Sequence, residues 1–299
     1  MSPPWMQQQE RGSPFLIRFI SQTTLLLGRP VGRLLLYPIT LYFVLFSPQA
    51  RRASERFLGR SLERPATFAD VFRHYHTFAA TILDRVYLLS GRQHYFDVEI
   101  EGAETLLDHV AAGRGCILLG SHLGSFDVLR TLAEELPGLH VRPLMYAGNS
   151  VKVNAVLNAV NPRLADQVIA IGEADSLLQV KEAIDRGEVV GILADRNVWE
   201  EKTVECQFFG LPCRFPAGPL LLAGLLGSPV VLFFGLYQGG RRYQIRFEPL
   251  TPGIQLERDR RSWQAGEWTC QFVARLEHYC RQAPYNWFNF YDFWGEGDV

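Results

Sequence analysis

The sequence predicts an α/β protein: a layered, mixed but mainly parallel sheet flanked by helices, carrying an N-terminal hydrophobic helical anchor. Three observations predict it. From about residue 95, short apolar runs alternate with stretches of helical periodicity, which is the pattern of strands and helices layered on one another. Runs such as Cys116–Gly120 and Val189–Ala194 are apolar throughout rather than at every second position, as strands covered on both faces are. The first 64 residues instead hold two apolar stretches, 15–27 and 31–46, followed by arginines. The expected division is therefore 1–64, a membrane-associated helical segment, and 65–299, the α/β domain.

The elements follow in order. The second apolar stretch falls short of the roughly 20 residues a span needs. It contains Pro38, has Arg33 at its edge, and carries Tyr37 and Tyr42, which suit an interfacial depth. It is expected to be a membrane-embedded or re-entrant anchor, the alternative being a buried core hairpin. Met1–Ser13 is polar and has no cleavage-site pattern, so no secretory signal is expected. Arg51, Arg52, Arg56, Arg60 and Arg64 then suit either an anionic lipid surface or a solvated helix face. Thr67–Leu89 is an amphipathic helix that Thr67 and Asp70 can cap, and Ser90-Gly91 ends it.

Beyond it, strands are expected at 96–100, 116–120, 141–146, 168–171, 189–194 and 204–209. Helices are expected at 103–112, 125–136, 151–160, 176–186, 217–226 and 261–282. Residues 230–237 and 242–247 form a hairpin across Gly239-Gly240.

Composition narrows the function classes. The 299 residues are 47% hydrophobic and 20% charged, with a net charge of -1. That balance excludes a nucleic-acid partner, which calls for a basic domain, and favours a buried or membrane-touching protein. The five scattered cysteines have neither disulfide-framework nor zinc-site spacing and are expected as reduced thiols in a cytosolic setting.

Chemistry concentrates in Gly120-Ser121-His122-Leu123-Gly124-Ser125-Phe126-Asp127. A buried strand ends there and a helix begins, which is where open α/β sheets bind ligands. With His122 in the turn and Asp127 in the first helical turn, the carboxylate can reach back to the imidazole. It would then hold one ring nitrogen protonated and leave the other to accept a proton. The bland alternative is a loop histidine bonded to a helix carboxylate for structural reasons. Asp195-Arg196, at the end of the 189–194 strand, is the second candidate pair, with a surface ion pair as its alternative. Arg214 and Arg130 are further candidates for substrate contact. There is no G-x-S-x-G elbow and no phosphate loop, and His74 and His76 cannot share a helix face to hold a metal.

These eight residues resemble the H-x4-D/E motif of the lysophospholipid acyltransferase superfamily, and the nearest branch is that of the late acyltransferases of lipid A biosynthesis. Lys181–Val190, Ala194-Asp195-Arg196, Phe208-Phe209-Gly210 and Pro216-Ala217-Gly218 are similar to segments of that branch in order. The resemblance runs over about residues 15–292. The C-terminal Asn286–Trp294 run departs from the branch and resembles a sister group of predicted acyltransferases associated with aryl-polyene-type clusters. The resemblance implies a fatty acyl transfer from an acyl carrier protein or coenzyme A thioester to a hydroxyl or amine of a lipid-like acceptor. His122 would be the base, Asp127 its orienting acid, and backbone N–H groups of the turn or Arg196 the oxyanion donors. It implies no metal and no cofactor, and a place at the cytoplasmic side of the cell inner membrane. A thioesterase or lipid hydrolase and a non-catalytic lipid-binding protein are the alternatives.

Overall fold

In the computed structural model the described residues are 14–129, 138–146, 167–197 and 202–295. The expected 151–160 helix lies outside them, as does most of the 125–136 helix, of which residues 127–129 are seen as helical.

Nine strands are present among the described residues: β1 (Asp97–Glu101), β2 (Cys116–Gly120), β3 (Val141–Tyr146), β4 (Ile169–Ile171), β5 (Val189–Leu193), β6 (Thr203–Phe208), β7 (Leu211–Pro216), β8 (Val230–Gly239) and β9 (Arg242–Thr251). Seven form one sheet in the order β1-β9-β8-β2-β5-β3-β4, and β6 and β7 form a separate hairpin. Only β8 and β9 pair antiparallel within the large sheet. The sheet is therefore mixed and mainly parallel. The sequence reading missed β7, whose Pro212 and Pro216 mask its strand character and are tolerated because the hairpin is two-stranded.

The sheet is covered on both faces, and its side chains alternate between two cores as period-2 geometry requires. On β2, Ile117 and Leu119 enter one core while Cys116 and Leu118 enter the other. On β8, Val230, Leu232 and Phe234 take the first side, and Val231 and Phe233 the second. The first core is closed by α6 (Ser176–Asp185), α7 (Gly218–Leu226) and α8 (Arg261–Gln282), through side chains such as Val180, Leu220, Phe272 and Leu276. The second is closed by α4 (Phe68–Leu89) and α5 (Ala103–Ala111), through Leu83, Tyr87 and Leu106. Thr67 caps α4 by accepting from the Asp70 N–H while the Asp70 side chain bonds back to the Thr67 N–H, the reciprocal capping box.

Three helices precede this body: α1 (Pro14–Leu27), α2 (Arg29–Phe46) and α3 (Pro48–Ser61). α2 buries a stripe at near four-residue spacing, Gly32, Leu36, Thr40 and Val44, and packs it on α4. Arg29 is buried with it, its charge balanced by Asp84 of α4 at 2.8 Å, and Tyr243 donates to the same carboxylate. The other faces of α2 leave Leu34, Tyr37, Leu41, Tyr42, Leu45 and Phe46 exposed. Among the described residues α2 is the one helix long and apolar enough, by length and composition, to cross a membrane. The arginines of α3 are largely engaged with the protein: Arg56 pairs with Asp292, and Arg60 lies 4.2 Å from the Trp294 ring centre.

The cysteine reading is corrected at one pair. Cys206 and Cys270 form a disulfide, while Cys116, Cys213 and Cys280 are free and buried. The partners are 64 residues apart, so no local spacing reveals them. β6 lies against α8 and brings their Cα atoms to 5.3 Å, inside the bonding range.

Candidate active site

β2 and β5 are neighbours in the middle of the sheet, parallel, with Gly120 opposite Leu193. The Ala194 N–H donates to the Gly120 carbonyl at 2.9 Å and carries the ladder one step beyond the strands. His122 and Asp195 each stand two residues past the last paired positions, so the same register that aligns the strands sets them side by side. The His122 Nδ1 is 2.7 Å from Asp195 Oδ1, and the His122 backbone N–H lies 3.1 Å from both carboxylate oxygens. The carboxylate that meets His122 is thus Asp195.

Asp127 was expected in that place. Its carboxylate instead faces α4, where Arg85 Nε stands 2.5 Å from one oxygen and a second guanidinium nitrogen 3.3 Å from the other. The turn explains the difference. Gly124 has φ +73°, and a Cβ there would lie 1.9 Å from the Gly235 carbonyl oxygen of β8. The chain is pressed against β8 at Gly124, and the Asp127 carboxylate that follows is engaged by Arg85 of α4. Phe126 packs over Gly191 of β5, where any side chain would collide with its ring.

Asp195 is almost fully buried and saturated with donors. Besides His122, it accepts from the indole N–H of Trp287 at 2.9 Å and from the Asn289 amide at 3.0 Å. Burial pushes its carboxyl upward, but the His122 charge and hydrogen bonds, with Arg196 nearby, hold it down at about 2. Asp195 is therefore ionised. His122 moves the other way: burial and the Arg196 charge lower it, only partly opposed by Asp195. At neutral pH the ring is uncharged, with Nδ1–H donating to Asp195. Nε2 has no partner among the described residues, and the side chain keeps 19% of its surface exposed. A neutral imidazole held in one tautomer, with an open Nε2, is chemically able to accept a proton.

The segment after α8 frames the turn. The Phe288 N–H donates to the His122 carbonyl, and the Gly124 N–H to the Asn286 carbonyl, each at 2.8 Å. The Asn286 side chain clips both the N–H and the carbonyl of Tyr237. Arg196 is tied by its guanidinium to the Asn289 side chain and the Phe288 carbonyl. Behind this segment, buried His74 bridges the Trp287 carbonyl and the Ser54 hydroxyl, at 2.8 Å each, and burial lowers it to about 4. Since a carbonyl only accepts, His74 donates through Nε2 and accepts from Ser54 through Nδ1.

Of the expected site residues, His122, Asp195 and Arg196 come together. Arg214 stands exposed on β7 opposite Glu205 and makes none of these bonds. Arg130 lies outside the described residues. Arg85, Trp287, Asn286 and Asn289 were not anticipated. The signal for the asparagines was there, two amides inside an aromatic run; Arg85 looked like any charged position on a long helix. The turn N–H groups expected as oxyanion donors are largely occupied: His122 N–H by Asp195, Gly124 N–H by Asn286 and Ser125 N–H by Gly235. Among the described residues no three His, Cys, Asp or Glu side chains gather where they could hold a metal ion.

A family model described as bacterial lipid A biosynthesis acyltransferase matches residues 70–295, well over half the chain and inclusive of every element of the site. A search of curated proteins found no match.

Proposed function

The chain belongs to the bacterial lipid A biosynthesis acyltransferase family and is an acyltransferase acting on a lipid-like acceptor, and from that premise we propose that His122 is its general base and Asp195 the carboxylate that orients it. The observation that carries the reading is the 2.7 Å bond from His122 Nδ1 to an ionised, buried Asp195, which leaves Nε2 to take a proton.

The donor in this reading is an acyl thioester of acyl carrier protein or coenzyme A. His122 Nε2 removes the proton of an acceptor hydroxyl or amine as its oxygen or nitrogen attacks the thioester carbonyl carbon. The new C–O or C–N bond forms, the C–S bond breaks, and the proton on Nε2 passes to the departing sulfur. The tetrahedral oxyanion forms beside Arg196, whose fixed positive charge stabilises it. The imidazolium that forms at the same moment lies against the Asp195 carboxylate, which lowers its cost. Asp127 keeps a place in the site as the carboxylate that holds Arg85 beside the turn. The sequence holds no G-x-S-x-G, and in this reading the acceptor attacks the thioester directly, without an acyl-enzyme.

The family is membrane-associated, and the exposed apolar faces of α2 suit contact with a bilayer. We place the enzyme on the cytoplasmic side of the inner membrane, where thioester carriers are charged. His122→Ala, assayed with purified thioester donor and a lipid acceptor, is expected to abolish transfer with unchanged circular dichroism and melting cooperativity. Full transfer by that folded variant would end the proposal. Rapid release of free fatty acid by the wild type without acceptor would replace it with hydrolysis.

A further inference from the structure

Asp195 and Arg196 are neighbours in the chain and opposite in charge, yet among the described residues the donors on the Asp195 carboxylate are His122, Trp287 and Asn289. The Arg196 guanidinium goes elsewhere: its Nε donates to Asn289 Oδ1 at 2.7 Å and a terminal nitrogen to the Phe288 carbonyl at 2.8 Å. One side chain therefore serves both. Asn289, with 1% of its surface exposed, gives an amide N–H to Asp195 Oδ2 at 3.0 Å and takes the Arg196 N–H on its amide oxygen. Chemistry fixes which way the amide faces, since an ionised carboxylate only accepts and a guanidinium only donates.

The separation matters for His122. A guanidinium closed on Asp195 would take up the carboxylate oxygens that hold His122 Nδ1 and bring a full positive charge closer to the imidazole. Arg196 already lowers His122 from where it stands. The amide blocks that collapse without adding a charge of its own. Neither a carboxylate nor an aliphatic side chain of the same size offers both a donor to Asp195 and an acceptor to Arg196. Of the other titratable groups around the pair, Tyr291 has its ring centre 6.0 Å from the Arg196 guanidinium carbon and is pushed up by burial, as is Cys280 of α8, so both stay neutral. His74 of α4, bonded to the Trp287 carbonyl, is lowered to about 4 and is neutral as well. The charges that act on His122 are those of Asp195 and Arg196, the two side chains that Asn289 holds.

We propose that Asn289 is a positioning residue of the acyl transfer: its amide keeps the Arg196 guanidinium off the Asp195 carboxylate, so that the carboxylate serves His122 and the guanidinium faces the oxyanion. The inference rests on the base reading of His122 and Asp195 and names the group that keeps that pair working. Asn289 acts through the two residues it separates.

The test is a double-mutant cycle on the full chain in mild detergent. Asn289→Leu, of nearly the same size, removes both bonds; Arg196→Gln removes the charge; a third variant carries both changes. Two readouts are taken: kcat and KM with an acyl thioester, and the His122 titration by nuclear magnetic resonance without substrate, its signal identified by its loss in His122→Ala. In Asn289→Leu the guanidinium closes on Asp195, so kcat is expected to fall about 10²-fold with KM for the thioester little changed. The His122 midpoint should drop by about one pH unit, because a full charge outweighs the amide donor that is lost. On the Arg196→Gln background the same change should cost far less in kcat and leave the midpoint nearly still. Asn289→Ala is run beside it and decides the matter if the leucine variant does not fold. A midpoint that moves equally in both backgrounds, or in neither, marks Asn289 as packing only and overturns the inference. Wild-type kcat in folded Asn289→Leu beside an inactive His122→Ala overturns this inference alone, whereas transfer retained by His122→Ala overturns the base reading with it.

Discussion

Replacing Asp195 with Asn tests the site most directly, because the two side chains have nearly the same shape. The amide removes a negative charge and turns one acceptor oxygen into a donor. Five contacts converge on the carboxylate: two from the His122 N–H, and one each from His122 Nδ1, Trp287 and Asn289. An amide oxygen satisfies part of that set and leaves a donor facing a donor. Asp195 is held at about 2 against an ordinary 3.8, a difference worth about 2 kcal/mol at roughly 1.4 kcal/mol per unit. The sign follows from the lowered value. The native state gains this stability above about pH 4, where the unfolded carboxyl is ionised, and loses it as pH falls toward 2. Asp195→Asn should therefore cost about 2–4 kcal/mol in urea unfolding at pH 7, including the mismatched donor. The activity loss should be larger in effect. Without the carboxylate the imidazole loses its fixed tautomer and its stabilised protonated form, so kcat should fall by about 10²–10⁴. The assay is transfer from a radiolabelled acyl thioester, on protein shown folded by near-UV circular dichroism. Wild-type kcat in Asp195→Asn, beside a collapse in Asp127→Asn, would refute the assignment of Asp195 as the orienting carboxylate.

Four other outcomes follow from the same structure. Activity should fall on acidification through a midpoint below the usual histidine value, since burial and Arg196 lower His122 and its neutral form is the proposed base; a midpoint above about 7 in a kcat/KM–pH profile contradicts this. His74, held near 4, should make the protein lose about 3 kcal/mol as pH falls from about 6.5 to 4, because only the unfolded state takes up the proton. Urea midpoints across that range should show a shallower slope in His74→Phe, together with a lower plateau from the unbonded Trp287 carbonyl. Gly124→Ala should destabilise by at least about 2 kcal/mol, from the left-handed backbone and the collision with Gly235, and reduce soluble yield or melting temperature accordingly. Air-oxidised protein, denatured without reductant, should titrate three thiols and five after reduction, with the oxidised form more stable by about 2–4 kcal/mol.

The sequence by itself determined the layered α/β class, most strand and helix positions, and the turn that carries His122. These are local properties. Fully apolar five-residue runs, helical spacing, a capping box and glycines after strands are all written within a few neighbours of each other. Even Asp195 and Arg196 were visible as a strand-end pair. The partner of His122 was not, because it depends on which strands lie side by side. Only the parallel register of β2 on β5 brings residues 122 and 195, 73 positions apart, to one point. The nearer Asp127 follows a close contact between Gly124 and β8 that no spacing rule contains. The same holds for Trp287 and Asn289 above the carboxylate, Arg85 on Asp127, and Cys206 against Cys270. Each is a contact between elements distant in the chain, fixed when two hydrophobic cores close on either face of one sheet and not before.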